Sequence, residues 1–417
     1  MAAWIEYRGN SARTAALPYI RPARNLSESQ KWVVGLRNAE VLKGGIRVFN
    51  DSVFIARSDG VSVLDASTGD QRWNYTNLVP KFGFCVADGN PYKLVVAGND
   101  EIRIVSEGIT DTVWSEITHS TKGLNGELCN RGDYLLYMCE SDDTGKIESN
   151  TLYQDSIYYS LPDIEQSTVE PIVPIASDSS IVFCSSKNTL GGAAFGEQLT
   201  IISSDWHLPT ITHVPVEHHV SSPVVGHNGD IFVQEFDAAS TVVNPTTSHV
   251  RYTPDNSGSF DGQTVVQGCV HTRAPIVTDQ RLYVIDGYAD QAYDETDELV
   301  IFSSSLDELS REELPKNLMR EDPDPIAVGD VVYIALGDLL VAIDESGSQI
   351  SQRQFDESIV ALAGGDPGVY VGTETSVYGL TDISNTVIYQ NDCCPNCQTS
   401  LSQRKDPLYC PNCGADL

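Results

Sequence analysis

The chain is predicted to be all-β, a succession of four-stranded antiparallel units, and three observations carry that expectation. Helical periodicity is hard to find along the 417 residues, whereas short apolar or alternating runs bounded by Gly, Asp, Asn and Ser recur throughout, the pattern of buried and half-buried strands. Between the runs stand residues that tolerate positive φ or close Asx turns, as tight hairpins require. The unit itself repeats with drift, its starts falling about every 35 to 50 residues.

The first unit is the clearest. Residues 46 to 76, IRVFNDSVFIARSDGVSVLDASTGDQRWNYT, divide into IRVF, SVFIA after an Asn-Asp turn, VSVLD after Asp-Gly, and QRWNY after ASTGD, a four-stranded meander. Residues 84 to 116 keep the rhythm, with Trp114 where the first unit has Trp73. ELCNRGDYLLYMCES, PIVPIASDSSIVFCSS, SSPVVGHNGDIFVQEF and RAPIVTDQRLYVIDG open the third to sixth units. PIAVGDVVYIALGDLLVAIDESGSQISQRQF and VALAGGDPGVYVGTETSVYGL form the last two. Such spacing suits a β-propeller of seven or eight four-stranded blades, eight preferred, because each small sheet must bury both faces against its neighbours around a channel. Insertions such as YADQAYDETDE at 288 to 298 read as exposed loops. QKWVVGL at 30 to 36 has no hairpin partner of its own. It is expected to clasp the last blade, Lys31 to Leu36 lying beside the strands near 368 to 380, and so to remove an open sheet edge. NTVIYQ at 385 to 390 competes for that outer position.

The propeller is assigned residues 1–390 and a second, much smaller domain residues 391–417. In the latter, Cys394, Cys397, Cys410 and Cys413 form Cys-x2-Cys-x12-Cys-x2-Cys. Two knuckles of paired thiolates offer four soft ligands to a tetrahedral ion, which suits one Zn2+ at about 2.3 Å. Pro395 and Pro411 stiffen the knuckles, and Gly414 follows the last ligand where the backbone turns. A redox pair or two disulfides is the alternative, but two identical CPNC runs without a secretory signal favour metal. With all four positions filled by thiolates the zinc is structural, its binding free energy of about 10–16 kcal/mol supplying what so short a peptide lacks in core. Cys393, beside a ligand, reads as spare.

DGVSVLDASTGDQRWNY at 59 to 75 resembles the repeat of pyrroloquinoline-quinone-type propellers, whose blades read roughly DGxLYALDAxTGxxxW. WIEYRGNSARTA at 4 to 15 is similar to the leader of the same superfamily, which includes the barrel-assembly lipoprotein of bacterial outer membranes. The resemblance covers 4 to 15 and 31 to 76 well, 323 to 380 partly, and the middle weakly. It implies a propeller of seven or eight blades, used by quinoprotein dehydrogenases or, more often, by scaffolds without a cofactor. It also implies that the repeat tryptophan and the Ala-x-Thr-Gly turn lock neighbouring blades, giving Trp73 and Gly69 structural roles. A quinoprotein needs a Ca2+ site, a cofactor-stacking tryptophan, a catalytic Asp and commonly a vicinal disulfide. Here the only adjacent cysteines, Cys393 and Cys394, belong to the ribbon, so PQQ is disfavoured. CPNC…CPNCGADL is similar to the small zinc ribbons appended to many prokaryotic proteins.

Charge narrows the partners. Fifty-eight acidic against 26 basic residues give −32, and lysines number nine against 35 aspartates spread along the chain. This is the composition expected of a halophilic, haloarchaeal cytosolic protein, since at molar salt the Debye length is about 3 Å and like charges hardly repel. An ordinary acidic protein with a basic partner is the alternative. Nucleic acid is disfavoured either way, because phosphates are neutralised by Lys and Arg; within 392–417 only Arg404 and Lys405 are basic. No apolar run approaches a membrane span, and the first residues carry no secretory pattern, so a cytoplasmic location is expected. Cys85, Cys129, Cys139, Cys184 and Cys269 lie singly in apolar strands and read as buried thiols. His207, His213, His218 and His219 with Glu217 could ligate a metal, but their spacing matches no known site and the stretch reads as a strand and its turn. Arg-Gly-Asp at 131 to 133 is explained by a hairpin turn, and the acidic clusters lack an EF-hand pattern. The reading that follows is a non-enzymatic protein-interaction scaffold whose ribbon adds a second contact module. Its alternatives are a quinoprotein-like oxidoreductase and a nucleic-acid adaptor acting through the ribbon.

Overall fold

The computed structural model describes residues between Ala16 and Thr381 apart from scattered short stretches and the longer ones 114–128, 161–174, 186–195, 237–246 and 287–296; residues 1–15 and 382–417 lie outside the description, and from 104 to 213 it covers the backbone. Thirty-two strands and no helix occur among the described residues. They divide between two compact units, one built from Ala15–Thr76 with the chain from Leu318 onward, the other from Asn77–Asn317.

The first unit holds three sheets. β1 (Ala16–Leu17) and β2 (Gln30–Gly35) precede a meander of β3 (Val41–Phe49), β4 (Ser52–Arg57), β5 (Gly60–Asp65) and β6 (Gln71–Tyr75). The second unit starts with two more meanders. They are β7 to β10 (Phe84–Ala87, Lys93–Ala97, Ile102–Ser106, Ile109–Val113) and β11 to β14 (Cys129–Arg131, Tyr134–Cys139, Lys146–Thr151, Ser156–Ser160). Then comes a seven-stranded sheet, β15 to β21 (Ile175–Ala176, Ser180–Ser185, Gly196–Ser203, Ile211–Val225, Ile231–Phe236, Thr247–Pro254, Phe260–Cys269). The fourth sheet is β22 to β25 (Ile276–Val277, Arg281–Asp286, Glu298–Ser303, Glu308–Glu313). The chain returns to the first unit with β26 to β29 (Ile326–Val328, Val331–Leu336, Leu339–Asp344, Gln349–Gln354) and β30 to β32 (Ile359–Gly365, Gly368–Thr373, Ser376–Leu380).

Burial explains why the middle strands are runs of Val, Ile, Leu and Ala. Every residue of β4, β27 and β31 is buried, whereas outer strands such as β25 and β29 are exposed or half-buried along their length. A strand covered on both faces cannot alternate; one at the rim can. The tight links carry the residues such turns need: Gly60 follows Asp59 at φ 144° between β4 and β5.

Three features go beyond the meanders read from sequence. β18, Ile211–Val225, pairs with β17 through its first half and with β19 through its second, so the fourth and fifth units share one strand. β3 starts earlier than IRVF, crossing an irregularity between Val41 and Ile46 where Gly44 takes φ 62°. β1 adds to β26 in parallel, Ala16 opposite Ala327 and Leu17 opposite Val328. From there the N-terminal segment crosses the β26–β29 sheet: the Tyr333 hydroxyl donates to the Ala23 carbonyl at 3.0 Å, and Leu26, fully buried, receives a bond at its own carbonyl from Arg353. Arg24 pairs with Asp330 on the way. β2 then lies antiparallel along β32, with Trp32 opposite Gly379 and Val34 opposite Val377. NTVIYQ at 385 to 390, its competitor for that place, lies outside the described residues.

One irregularity recurs in the outermost strands. Against the neighbouring strand, an extra residue is inserted at Lys31 in β2, Arg72 in β6, Val265 in β21, Leu309 in β25 and Ile350 in β29. A bulge re-aims the residue after it. Those residues are Trp32, Trp73, Val266, Ser310 and Ser351, and the contacts of the first and third decide how sheets are joined.

Candidate functional site

The four cysteines assigned to zinc, Cys394, Cys397, Cys410 and Cys413, lie outside the described residues. Among the described residues no cluster of three or more His, Cys, Asp or Glu side chains could hold a metal. His213, His218 and His219 fall on β18, as the strand reading requires, and His207 lies outside the description. Arg131 and Tyr134 are paired across β11 and β12, on either side of Gly132-Asp133, which lies outside the described residues. Trp114 lies outside the described residues, just past β10, and Cys85 is buried on β7.

Neighbouring sheets within each unit meet at junctions of defined geometry. In the first unit, the turn after β5 is closed by the Gly69 amide on the Asp65 carbonyl at 2.8 Å. The Asp65 carboxylate accepts from the Ser67 amide and hydroxyl and from the Thr68 amide. It also holds Arg72 at 2.8 Å. The Ser67 hydroxyl and the Arg72 guanidinium, in that order, keep this carboxyl well below the usual range. Onto the turn comes Trp32 of β2, 7% exposed, its indole Nε1 donating to the Ala66 carbonyl at 3.0 Å. Two glycines make room for the ring. A Cβ on Gly69, which also has φ +77°, would lie 2.8 Å from the indole, and one on Gly379 would lie 2.4 Å from it. Gly69 thus has the locking role expected of it, with Trp32 as the partner. Trp73, the other expected lock, has a buried Nε1 with no partner among the described residues.

The second unit joins the β19–β21 strands to the β22–β25 sheet differently. The turn after β24 is one residue shorter, with the Leu306 amide on the Ser303 carbonyl at 3.0 Å and the Ser303 amide on the Asp307 carbonyl at 2.9 Å. The carbonyl one residue into the turn, that of Ser304, accepts from Arg251 at 3.2 Å, as that of Ala66 accepts from Trp32. An apolar cluster including Phe232, Val266, Leu282, Val284, Val300 and Phe302 fills the junction. Set in it is His249, opposite Val266 in register, 2% exposed, with neither ring nitrogen bonded among the described residues. Burial pushes the imidazole pKa down to about 4, the Asp286 carboxylate resisting. Asp286 itself is taken by Arg311 at 2.9 Å, together with Glu298 at 2.6 Å and Glu308 at 3.2 Å. Glu308 first, then Asp286 and Glu298, raise the guanidinium's pKa, against the effect of its burial. On the other face of β19 and β20 the Tyr252 hydroxyl donates to the buried Glu235 carboxylate. Beside Leu306 lies a cavity of about 30 Å³ with Asp230, Phe232, Arg281, Ser303 and Ser304 in its wall. That volume admits a water or two and no organic ligand.

Sequence reasoning missed His249, Arg251 and Leu306. The one available signal was the missing tryptophan: FDGQTVVQGC has valine where QRWNY has Trp73.

The comparisons bear on the fold. The chain is similar to BamB from Moraxella catarrhalis, with a TM-score of 0.54 at 12% identity over 85% of this chain and 98% of that one. It also matches one of two prolyl endopeptidases, with a TM-score of 0.47 at 11% identity over 89% of this chain and 55% of that one. BBS1N, solved in complex with ARL6DN, matches with a TM-score of 0.43 at 12% identity over 85% of this chain and 97% of that one. No protein-family model matches the chain, and no curated protein is similar to it in sequence. The likeness to BamB, a PQQ-like propeller, places the described strands in the β-propeller fold.

Proposed function

We propose that the chain is a non-enzymatic protein-interaction scaffold: an eight-bladed propeller, two of its blades sharing β18, followed by a zinc ribbon that adds a second contact surface. The observation that carries the reading is an asymmetry of connections. In the first unit the link from the second to the third strand of a sheet is a pair of residues, Ser58-Asp59, Gly337-Asp338 or Glu374-Thr375. In three sheets of the second unit the corresponding links run over 140–145, 186–195, 237–246 and 287–297. Rigid sheets with enlarged loops on one side are how propellers present binding surfaces without changing their core. The link at 287–297 carries Asp290, Asp294 and Glu295 beside Tyr288 and Tyr293, which suits a basic protein partner.

The donor set of the tail fits zinc: Cys394, Cys397, Cys410 and Cys413 would hold one ion through four thiolates, and the ion supplies folding energy to a segment too short for a core. The composition supports residence in a cytoplasm of high salt.

The experiment is binding at molar salt, comparing the full chain, a chain ending at Asp392, and one whose links 237–246 and 287–296 are cut to two-residue turns, with zinc measured on each. A saturable protein partner lost on cutting the links, and one zinc per full-length chain absent from the shorter one, are expected. Binding indifferent to both changes overturns the reading.

A further inference from the structure

We propose that the junction between β19–β21 and the β22–β25 sheet is where the second unit opens, the two parting locally while the rest of the strands stay paired. Two junctions, one in each unit, are built on the same bulge. In β2 the residue after the bulge is Trp32, opposite Gly379 and against Gly69; in β21 it is Val266, opposite His249, and the turn it approaches carries Leu306. A large ring flanked by two glycines has become a small residue flanked by two large ones. Apolar volume is roughly conserved, but what the indole did is divided among residues that do it less well.

Four consequences follow. Leu306 is held at φ +66°, where Gly347 sits at φ +90° in the matching turn after β28, and a branched side chain resists that backbone. The hydrogen bond to the turn now comes from Arg251, whose Nε is buried without a partner among the described residues. Arg251 stands 3.9 Å from the Asp230 carboxylate, too far for a hydrogen bond. His249 places two more unbonded nitrogens in the same layer, and the cavity beside Leu306 leaves wall atoms without neighbours. Parting lets water reach the unbonded nitrogens and frees the Leu306 side chain from the cluster, whereas parting the Trp32 junction would break a closed fit. Low local stability of this kind marks elements that move. An opening here would bare Arg251 and Arg281 at the end of the strands that carries the Leu306 turn, and the Asp286–Arg311 pair at the opposite end, where the links 237–246 and 287–297 leave the sheets.

The test is hydrogen exchange followed by mass spectrometry on the full chain at molar salt and neutral pH. In the parent, amides of 281–286 and 298–303 are expected to exchange at least about tenfold faster than those of 52–57 and 60–65; equal or slower exchange overturns the proposal. The variant W32V should bring 60–65 to the faster regime, and unchanged exchange there would show that the indole is no lock and sink the argument. The graft H249G/V266W/L306G, which rebuilds the Trp32 arrangement, should slow 281–286 by about tenfold with 52–57 unchanged. If the graft does not fold, the parent and W32V still decide.

Discussion

Replacing His249 by leucine tests the electrostatic reading of the second junction. The imidazole is buried and has no hydrogen-bond partner among the described residues, and burial lowers its pKa to about 4 in the folded chain against 6.5 for an unperturbed histidine. A base whose folded pKa is depressed binds fewer protons folded than unfolded between those two values, so stability falls as pH falls through that window. Above 6.5 the group is neutral in both states and the penalty vanishes. Worked through the linkage relation, the parent loses roughly 2 kcal/mol to this residue on going from neutral pH to pH 5, and roughly 3 kcal/mol by pH 4. His249→Leu removes that loss and, at neutral pH, removes two unbonded nitrogens, so it should match or exceed the parent by up to about 2 kcal/mol. Carboxylates also titrate in this range, and the comparison cancels them. Denaturant unfolding of both chains at pH 7.5, 5 and 4, at one fixed molar salt, measures the difference. Parallel loss of stability in the two chains, or a variant several kcal/mol weaker at pH 7.5, would refute the reasoning, the latter by revealing a hydrogen bond to the imidazole.

Trp32→Ala should cost about 3–5 kcal/mol, since it empties a closed fit and leaves the Ala66 carbonyl without its donor, and Gly69→Ala should cost about 1–3 kcal/mol through its φ of +77° and the 2.8 Å approach to the indole; thermal melts check both. Cys397→Ser should abolish zinc in metal analysis and leave the main unfolding transition within about 0.5 kcal/mol of the parent, as a separate metal-stapled domain requires; a large shift would tie the ribbon into the propeller. Lowering salt from molar to about 0.1 M lengthens the Debye length from about 3 to about 10 Å, so a chain of charge −32 should melt at a lower temperature; a melt unchanged by dialysis would contradict the halophilic reading.

What could be read from sequence and what could not separates along a physical line. VFIAR, VVYIAL and GVYVGT announce strands because a strand buried on both faces must be apolar throughout, and Asp59-Gly60 announces a hairpin because its φ needs glycine. QKWVVGL could be placed against 368–380 because an apolar strand without a hairpin needs a distant edge. β1 left no trace: two residues carry no period, and its parallel pairing with β26 depends on where the segment through Ala23 and Leu26 crosses the sheet. β18 misled for the opposite reason, since Ser221, Ser222 and Pro223 read as a break between two meanders, yet the strand runs through them.

The junctions were harder still, because their energetics belong to sets of residues far apart in sequence. A tryptophan that docks on a turn can be expected from a repeat, as Trp73 was, yet the docked ring is Trp32, contributed by a strand some 30 residues before the turn it closes. At the second junction there is no motif at all. Val266, His249, Leu306 and Arg251 come from two strands and a turn, and each alone looks like an ordinary residue of an apolar or polar run. Only the shared bulge reveals that they stand where Trp32, Gly379 and Gly69 stand elsewhere. Selection for a rigid propeller alone would favour the closed fit at every seam, since unbonded buried nitrogens and a leucine at positive φ each carry a cost. A seam that keeps both, in the unit whose connections lengthen, is better understood as a place where rigidity has been given up for movement.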